Sequence, residues 1–166
     1  MDTKKLKKRP IGVFDSGIGG LTVAKSLFDI LPNEDIIYLG DSARLPYGTK
    51  SMETIILYSI ECLKFLLKKN VKCIVIACNT ASANALPFLQ KITKIPVIGV
   101  IAPGAEAAVN KSKSERIGVI ADVDRDHRVR GRVTGQRVED RRRAHPAAVV
   151  VAHPRGFVGA PALPTL

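Results

Sequence analysis

The chain has 166 residues, of which 46% are hydrophobic, 25% are charged and 5% are aromatic, and its formal net charge is +11. This length suits one domain, or one domain with a tail, and the composition excludes collagen-like and wholly disordered chains. No apolar run approaches the roughly 18 residues of a membrane span. The basic start leads directly into a short strand, so we expect neither a membrane protein nor an exported one.

The three cysteines, Cys62, Cys73 and Cys78, have no regular spacing. Because CxxC pairs are absent, they predict neither a zinc site nor a disulfide framework. Free cysteines are typical of a reducing compartment, so we expect a cytoplasmic protein without a metal centre.

The positive charge is concentrated in two places, which argues against nucleic acid as the partner. Five basic residues lie in a run at 4–9, and nine arginines lie in residues 122–166. Aromatic residues do not alternate with the basic ones, as they do on surfaces that bind single strands. We interpret residues 1–9 as a flexible, solvated terminus; a patch for phosphate groups or a membrane surface is the alternative.

Apolar runs alternate with stretches of helical spacing through residues 11–121. Strands are predicted at 11–14, 35–39, 73–77, 96–101 and 116–121, and helices at 21–31, 52–69, 80–92 and 102–110. This alternation predicts an α/β fold with a doubly wound parallel sheet. Ligands of such sheets bind beyond the carboxyl ends of the strands. The sequence therefore predicts a site built from the loops at 15–20, 40–48, 78–80 and 102–104.

The first of these loops has the sequence FDSGIGG, from Phe14 to Gly20, and opens a helix. Its glycines allow a ligand to approach the backbone, but their spacing does not match the GxGxxG dinucleotide pattern. Asp15 could orient an amino group or accept a proton. The alternative is that Asp15 or Ser16 only caps the helix or the turn.

The second loop, GDSARLPYG, follows the second strand and ends in the turn Pro46, Tyr47, Gly48. Backbone N–H groups of such a turn can bind a carboxylate, while Asp41 and Ser42 add an acceptor and a hydroxyl. The alternative is a capped surface turn without a ligand.

The third loop begins at Cys78, where a buried strand enters a helix. Helix N-termini favour the thiolate form of a cysteine, and Asn79 and Thr80 add donors and acceptors for a small polar ligand. The alternative is an inert packing residue, which is how we interpret Cys62 and Cys73. No histidine precedes residue 127, so a cysteine–histidine nucleophile pair is not supported.

Residue usage changes at residue 121. Beyond it lysine, isoleucine, cysteine and tyrosine are absent, while arginine, proline, valine and alanine dominate. Such a segment buries too little apolar area to order itself, and only residues 147–152 have the pattern of a short strand. We therefore predict a domain over residues 1–121 and an irregular tail over 122–166, which is either frameshifted or an arginine-rich interaction segment.

Three segments, IGVFDSGIGGLTV, YLGDSARLPYGTK and IVIACNTASA, together resemble the N-terminal signatures of the glutamate racemase family. PVIGVIAPGAEAA and RIGVIA are similar to the family's next two strand segments, so the resemblance covers about residues 9–121. It implies a racemase-type domain that interconverts L- and D-glutamate without a cofactor and supplies D-glutamate for peptidoglycan. It also implies glutamate as the small-molecule partner, a homo-oligomer, and no metal.

The resemblance further implies roles for individual residues. Cys78 matches one of two cysteines that exchange the α-proton on opposite faces of the substrate, and Asp15 matches the acid beside it. The family's substrate contacts match Asp15, Ser16, Pro46, Tyr47, Gly48, Cys78, Asn79 and Thr80.

In the family the second cysteine belongs to a second, similar domain. No cysteine follows Cys78 in this sequence, so half of the acid–base pair has no match, which puts racemisation by this polypeptide alone in question. Three alternatives stay open: a non-catalytic half-domain that binds glutamate or a partner, a protein that binds nucleic acid or another partner through its arginine-rich tail, and a racemase of aspartate or another amino acid.

Overall fold

The computed structural model describes residues 8–113, 148–153 and 156–160. Its strands are β1 (Ile11–Asp15), β2 (Ile36–Gly40), β3 (Cys73–Ile76), β4 (Val97–Gly99), β5 (Ala148–His153) and β6 (Gly156–Ala160). The α-helices of the same residues are α1 (Leu21–Ile30), α2 (Met52–Lys68), α3 (Asn79–Asn84), α4 (Leu86–Ile92) and α5 (Ile101–Lys111). Two short 3-10 turns, Ser42–Arg44 and Tyr47–Thr49, connect β2 to α2.

The strands form one sheet in the order β4-β3-β1-β2-β5-β6. β1 runs parallel to both of its neighbours, with Val13 opposite Tyr38 of β2 and opposite Val75 of β3. The chain leaves β1 toward β2 and then returns past β1 to β3, so the strand order reverses beside β1. Doubly wound sheets open a crevice for ligands at such a reversal. The predicted α/β fold with a parallel sheet is confirmed.

The three strands β1, β2 and β3 are buried on both faces, which explains why nearly all of their residues are apolar. Successive side chains of a strand point to opposite faces. Val13 and Tyr38 consequently pack in the cluster beneath α1, whereas Phe14 and Leu39 pack in the cluster beneath α2. The second cluster also includes residues of α3 and α4. The sheet is therefore a rigid base, and the loops after β1, β2 and β3 leave it at one edge.

The prediction of one continuous helix at 80–92 is wrong, because the structure has two helices, α3 and α4, that meet at Ala85. Pro87 explains the break. Its nitrogen has no hydrogen to donate to the carbonyl of Ala83, and its ring would clash with that carbonyl in a continuous helix. Pro87 lies instead in the first turn of α4, where a missing donor costs nothing.

Two strands lie in the predicted tail. The strand expected at 147–152 is present as β5, which pairs antiparallel with β2, from Ile36 opposite Ala152 to Gly40 opposite Ala148. β6 is not predicted from the sequence, because GFVGA is short and interrupted by glycine, so its periodicity is weak. The strand predicted at 116–121, most of the basic run at 4–9 and the rest of the tail lie outside the described residues.

The remaining predicted strands and helices agree with the structure to within two residues at each end. Within the described ranges, no helix has both the length and the apolar character that crossing a membrane requires.

Candidate functional site

The first loop closes over the carboxylate of Asp15, which is 7% exposed. Its Oδ2 atom accepts hydrogen bonds from the N–H of Gly20 at 2.9 Å and of Gly17 at 3.2 Å. A Cβ atom at Gly20 would stand 2.7 Å from the Cβ atoms of both Ala77 and Asp15, so this position has no room for a side chain. Asp15 therefore holds the loop in shape, as the capping interpretation of the sequence expects.

Tyr38 of β2 supports the same loop from within the sheet. Its side chain is 2% exposed, and its hydroxyl donates to the carbonyl of Gly17 at 2.8 Å. Burial, followed by the charge of Asp15, raises the pKa of Tyr38 well above its usual value, so the phenol stays a neutral donor. Tyr38 is not among the site residues predicted from the sequence, where its only signal was a polar ring tip in the otherwise apolar strand IIYLG.

Cys78 lies immediately before α3, with 5% of its surface exposed. Its Sγ atom accepts a hydrogen bond from the N–H of Ala81 at 3.4 Å, so the sulfur caps the helix. Its thiol donates to the Ser16 hydroxyl, also at 3.4 Å. In the first turn of α3, Asn79 is exposed and Thr80 is half-buried. The sequence-predicted group of Ser16, Cys78, Asn79 and Thr80 is thus brought together.

The second loop turns the ring of Tyr47 into the core, where it is 1% exposed. The Tyr47 hydroxyl donates to Oδ2 of Asp41 at 2.5 Å, and Nε of Arg44 lies 2.7 Å from the same oxygen. The first N–H groups of a helical turn have no acceptor within that turn. The turn at Tyr47–Thr49 can therefore offer a ligand the backbone of Tyr47 and Gly48, while the Tyr47 side chain anchors it from the other side.

Arg44 extends this buried cluster to α2. It forms an ion pair with Glu61 and lies 4.3 Å above the ring centroid of Tyr58. Arg44 therefore links the second loop to α2, and this link stabilises the position of the turn at Tyr47–Thr49.

The other two cysteines agree with their interpretation as packing residues. Cys62 is buried on α2 with its Sγ 4.0 Å from Oδ2 of Asp41. Burial, followed by the charge of Asp41, raises the pKa of the Cys62 thiol to about 12. Burial likewise raises the pKa of Cys73, at the start of β3. Neither thiol is a ready nucleophile at neutral pH.

The three loops are joined by direct contacts. The N–H of Asp41 donates to the carbonyl of Asp15 at 2.9 Å, which links the second loop to the first. Gly17 faces the side chain of Leu45, and the turn at Tyr47–Thr49 packs against α3. The loop predicted at 102–104 is the exposed first turn of α5, a helix that packs against α3.

This arrangement combines a thiol, a hydroxyl and a carboxylate-held loop after β1 and β3 with a helical turn after β2, whose first N–H groups have no acceptor within the turn. Such groups suit a small polar ligand that carries a carboxylate, since N–H groups bind carboxylates. In the part of the chain that the structure describes, no three His, Cys, Asp or Glu side chains are grouped so as to hold a metal ion.

The sequence matches the Asp/Glu/Hydantoin racemase family over residues 11–154. It is 56% identical over 116 residues to the glutamate racemase of Lactococcus lactis subsp. cremoris, a match that covers 70% of this chain and 43% of that protein. The glutamate racemase of a Sulfurihydrogenibium species is 61% identical over 112 residues, which cover 67% of this chain and 43% of that protein.

Solved structures give the same result. The glutamate racemase of Aquifex pyrophilus is 56% identical with a TM-score of 0.61, and the match covers 63% of this chain and 41% of that one. The glutamate racemase of Francisella tularensis, in complex with D-glutamate, is 60% identical with a TM-score of 0.59, covering 62% of this chain and 40% of that one. The chain thus spans about two fifths of the length of the relatives it matches.

Proposed function

The chain belongs to the Asp/Glu/Hydantoin racemase family, and we propose that it exchanges the α-proton of glutamate as part of a cofactor-independent racemisation that supplies D-glutamate for peptidoglycan. One observation carries the proposal: the Cys78 thiol lies at the reversal of strand order, 3.4 Å from the Ser16 hydroxyl and beside the loop held by Asp15. The high identity to glutamate racemases over this segment supports glutamate as the substrate.

We assign Cys78 the proton transfer at one face of the α-carbon. Its thiolate removes the α-proton: the C–H bond breaks, an S–H bond forms, and the electron pair stays on the substrate as a carbanion conjugated with the α-carboxylate. The Ser16 hydroxyl would donate to the sulfur while the sulfur is a thiolate. Because the α-proton is a very weak acid, donors that are fixed in advance around the developing charge provide most of the stabilisation.

We assign the remaining predicted residues to the substrate. The N–H groups of Tyr47 and Gly48, presented by the turn that Pro46 opens, bind a carboxylate. Asn79 and Thr80, in the first turn of α3, bind the polar groups beside Cys78. Asp15 keeps the first loop in position and lies next to the reacting face.

The proposal is tested by following D- and L-glutamate by NMR in D2O with the purified 166-residue chain. Loss of the α-proton signal reports proton abstraction, and the chirality of the product is measured in the same samples. We expect exchange of D-glutamate, the enantiomer on which the matching cysteine of the family acts, and complete loss of exchange in Cys78→Ala. Cys73→Ala is the matched control and keeps the wild-type rate, since Cys73 lies at the opposite end of β3.

Exchange of both enantiomers with interconversion would show that this chain also supplies the second acid. Exchange of D-glutamate alone would show that it performs one of the two half-reactions. If neither enantiomer exchanges, or if Cys78→Ala exchanges as fast as the wild type, the proposed function is wrong. Binding of glutamate without exchange would instead favour the non-catalytic half-domain.

The family name covers several substrates, so an aspartate racemase is the second candidate. Aspartate is one methylene shorter than glutamate, and a site of fixed loops distinguishes such homologues by about 1–3 kcal/mol. Addition of unlabelled aspartate to the exchange assay shows which amino acid is bound more tightly.

We also propose that the protein acts in the cytoplasm as a homo-oligomer, as the family resemblance implies. Sedimentation of the purified chain tests the assembly, and fractionation of cells that express it tests the location.

A further inference from the structure

We propose that Tyr38 is a positioning residue of the candidate site: it fixes Gly17 from the buried side of the sheet and thereby holds Asp15 and Ser16 in place beside Cys78. What those residues do there rests on the proposed function, whereas the contacts that support Tyr38's role do not depend on it.

Gly17 is held by hydrogen bonds at both its N–H and its carbonyl. The N–H donates to Oδ2 of Asp15 at 3.2 Å, and the carbonyl accepts from the Tyr38 hydroxyl at 2.8 Å. A glycine has the widest choice of backbone conformations of any residue. Fixing both of its polar groups removes that freedom, so the loop keeps one shape although three of its residues are glycines.

The position of Gly17 also determines that of its neighbour. Ser16 precedes Gly17 directly, and its hydroxyl accepts from the Cys78 thiol at 3.4 Å. A rotation of the backbone at Gly17 would therefore move the carboxylate-bound end of the loop and the hydroxyl that faces the sulfur together. By holding the Gly17 carbonyl, Tyr38 therefore fixes both the end of the loop that is bound to Asp15 and the Ser16 hydroxyl.

Tyr38 is well suited to act as a rigid support. It lies in the middle of β2, opposite Val13 of β1 and Val150 of β5. Its ring packs in the cluster beneath α1, together with Val13 and Val75. A side chain fixed by packing on a strand holds its polar tip more firmly than one on a loop, which is what the supporting layer of a reactive site requires.

The test compares Tyr38→Phe with the control Ser26→Ala. Each variant loses one hydroxyl that donates to a backbone carbonyl, but Ser26 lies exposed in the middle of α1. Amide hydrogen exchange is measured at Gly17 and Gly20, whose N–H groups donate to Asp15, and in β1 and β3. The exchange of D-glutamate is measured in D2O over a range of substrate concentrations.

We expect amide exchange at Gly17 and Gly20 to accelerate about fivefold in Tyr38→Phe, the effect of losing one buried hydrogen bond, while amides of β1 and β3 keep their rates. The maximal rate of D-glutamate exchange should fall about fivefold with an unchanged KM, because the reacting groups lose their alignment while the carboxylate-binding turn is intact. Ser26→Ala should change neither.

Unchanged amide exchange at Gly17 and Gly20 would overturn the proposal. Equal acceleration of all amides of β1 and β3 would overturn it as well, since it would show a loss of global stability alone. If the wild-type chain exchanges no D-glutamate, the proposed function fails, and amide exchange by itself then decides the role of Tyr38.

Discussion

Gly20 lies where the first loop packs against Ala77, the residue after β3, and its missing side chain permits that approach. We expect Gly20→Ala to destabilise the chain by about 1–3 kcal/mol, the usual cost of forcing extra atoms into packed structure. The added methyl would meet Ala77 and Asp15 at 2.7 Å, and both are held by the sheet. Urea unfolding measures the effect as a lower midpoint.

Gly104 provides the control for that substitution. It lies inside α5, and a Cβ atom there would have nothing within 4 Å. Gly104→Ala should therefore raise stability slightly, by up to about 1 kcal/mol, because alanine favours the helix. Equal urea midpoints for the two variants would show that Ala77 and Asp15 leave room for a side chain at Gly20.

The candidate site was predictable where a residue's role follows from its position in the chain. Asp15 ends β1 and Cys78 lies two residues after β3, so the carboxyl-end rule placed both at the same edge of the sheet. The direction of the Tyr47 ring was not predictable, because it depends on Asp41 and Arg44, which meet it only in the fold. Tyr38 escaped prediction for the same reason: its partner, Gly17, is distant in sequence.

Among the helices, α2 is the longest of the described part of the chain, and its start is fixed by Ser51. The Ser51 Oγ atom accepts from the N–H of Thr54 at 3.3 Å. We expect Ser51→Ala to lower the free energy of unfolding by about 1 kcal/mol, the typical value of such a cap. Thermal or urea unfolding measures the loss.

Ser26, exposed in the middle of α1, is the matched comparison for Ser51. Its hydroxyl donates to the carbonyl of Thr22, one turn earlier. This kind of bond adds little to a helix, so Ser26→Ala should leave stability nearly unchanged. If Ser26→Ala lost as much stability as Ser51→Ala, the Ser51 cap would contribute no more to stability than an ordinary hydroxyl within a helix.

Periodicity predicted most elements because each buries a continuous apolar face, and burial decides both the sequence pattern and the structure. It failed at Ala85, where Pro87 interrupts the hydrogen-bond pattern without interrupting the apolar one. It also failed at Gly156–Ala160, since pairing with β5 rather than local pattern makes that segment a strand.

At the scale of the whole molecule, the two late strands extend the sheet beyond β2. We expect Val150→Pro to break this extension, because β5 pairs on both of its sides and a proline there removes a ladder donor. Hydrogen exchange should then accelerate at the amides of β2 that pair with β5, while β1 and β3 stay protected. Val150→Thr keeps both the donor and the branched shape, so it should leave β2 protected.

No change in β2 protection in Val150→Pro would mean that the late strands do not pair with β2 in solution.

The predicted boundary at residue 121 stays a prediction, and we propose a frameshift there on the basis of residue usage. Reading the coding DNA in its three frames across codon 121 tests this; the proposal fails if no other frame continues a domain-like sequence.

The antiparallel pairing of β2 with β5 also affects how the protein folds while it is being synthesised. Gly40 is synthesised about a hundred residues before its partner Ala148, and translation proceeds at roughly 5–20 residues per second. During synthesis on a ribosome, the outer edge of β2 therefore stays without its partner strand β5 for about 5–20 s. An apolar strand with an open edge is a template for other chains. The speed of translation thus determines how long each new chain can pair with its neighbours instead of with itself.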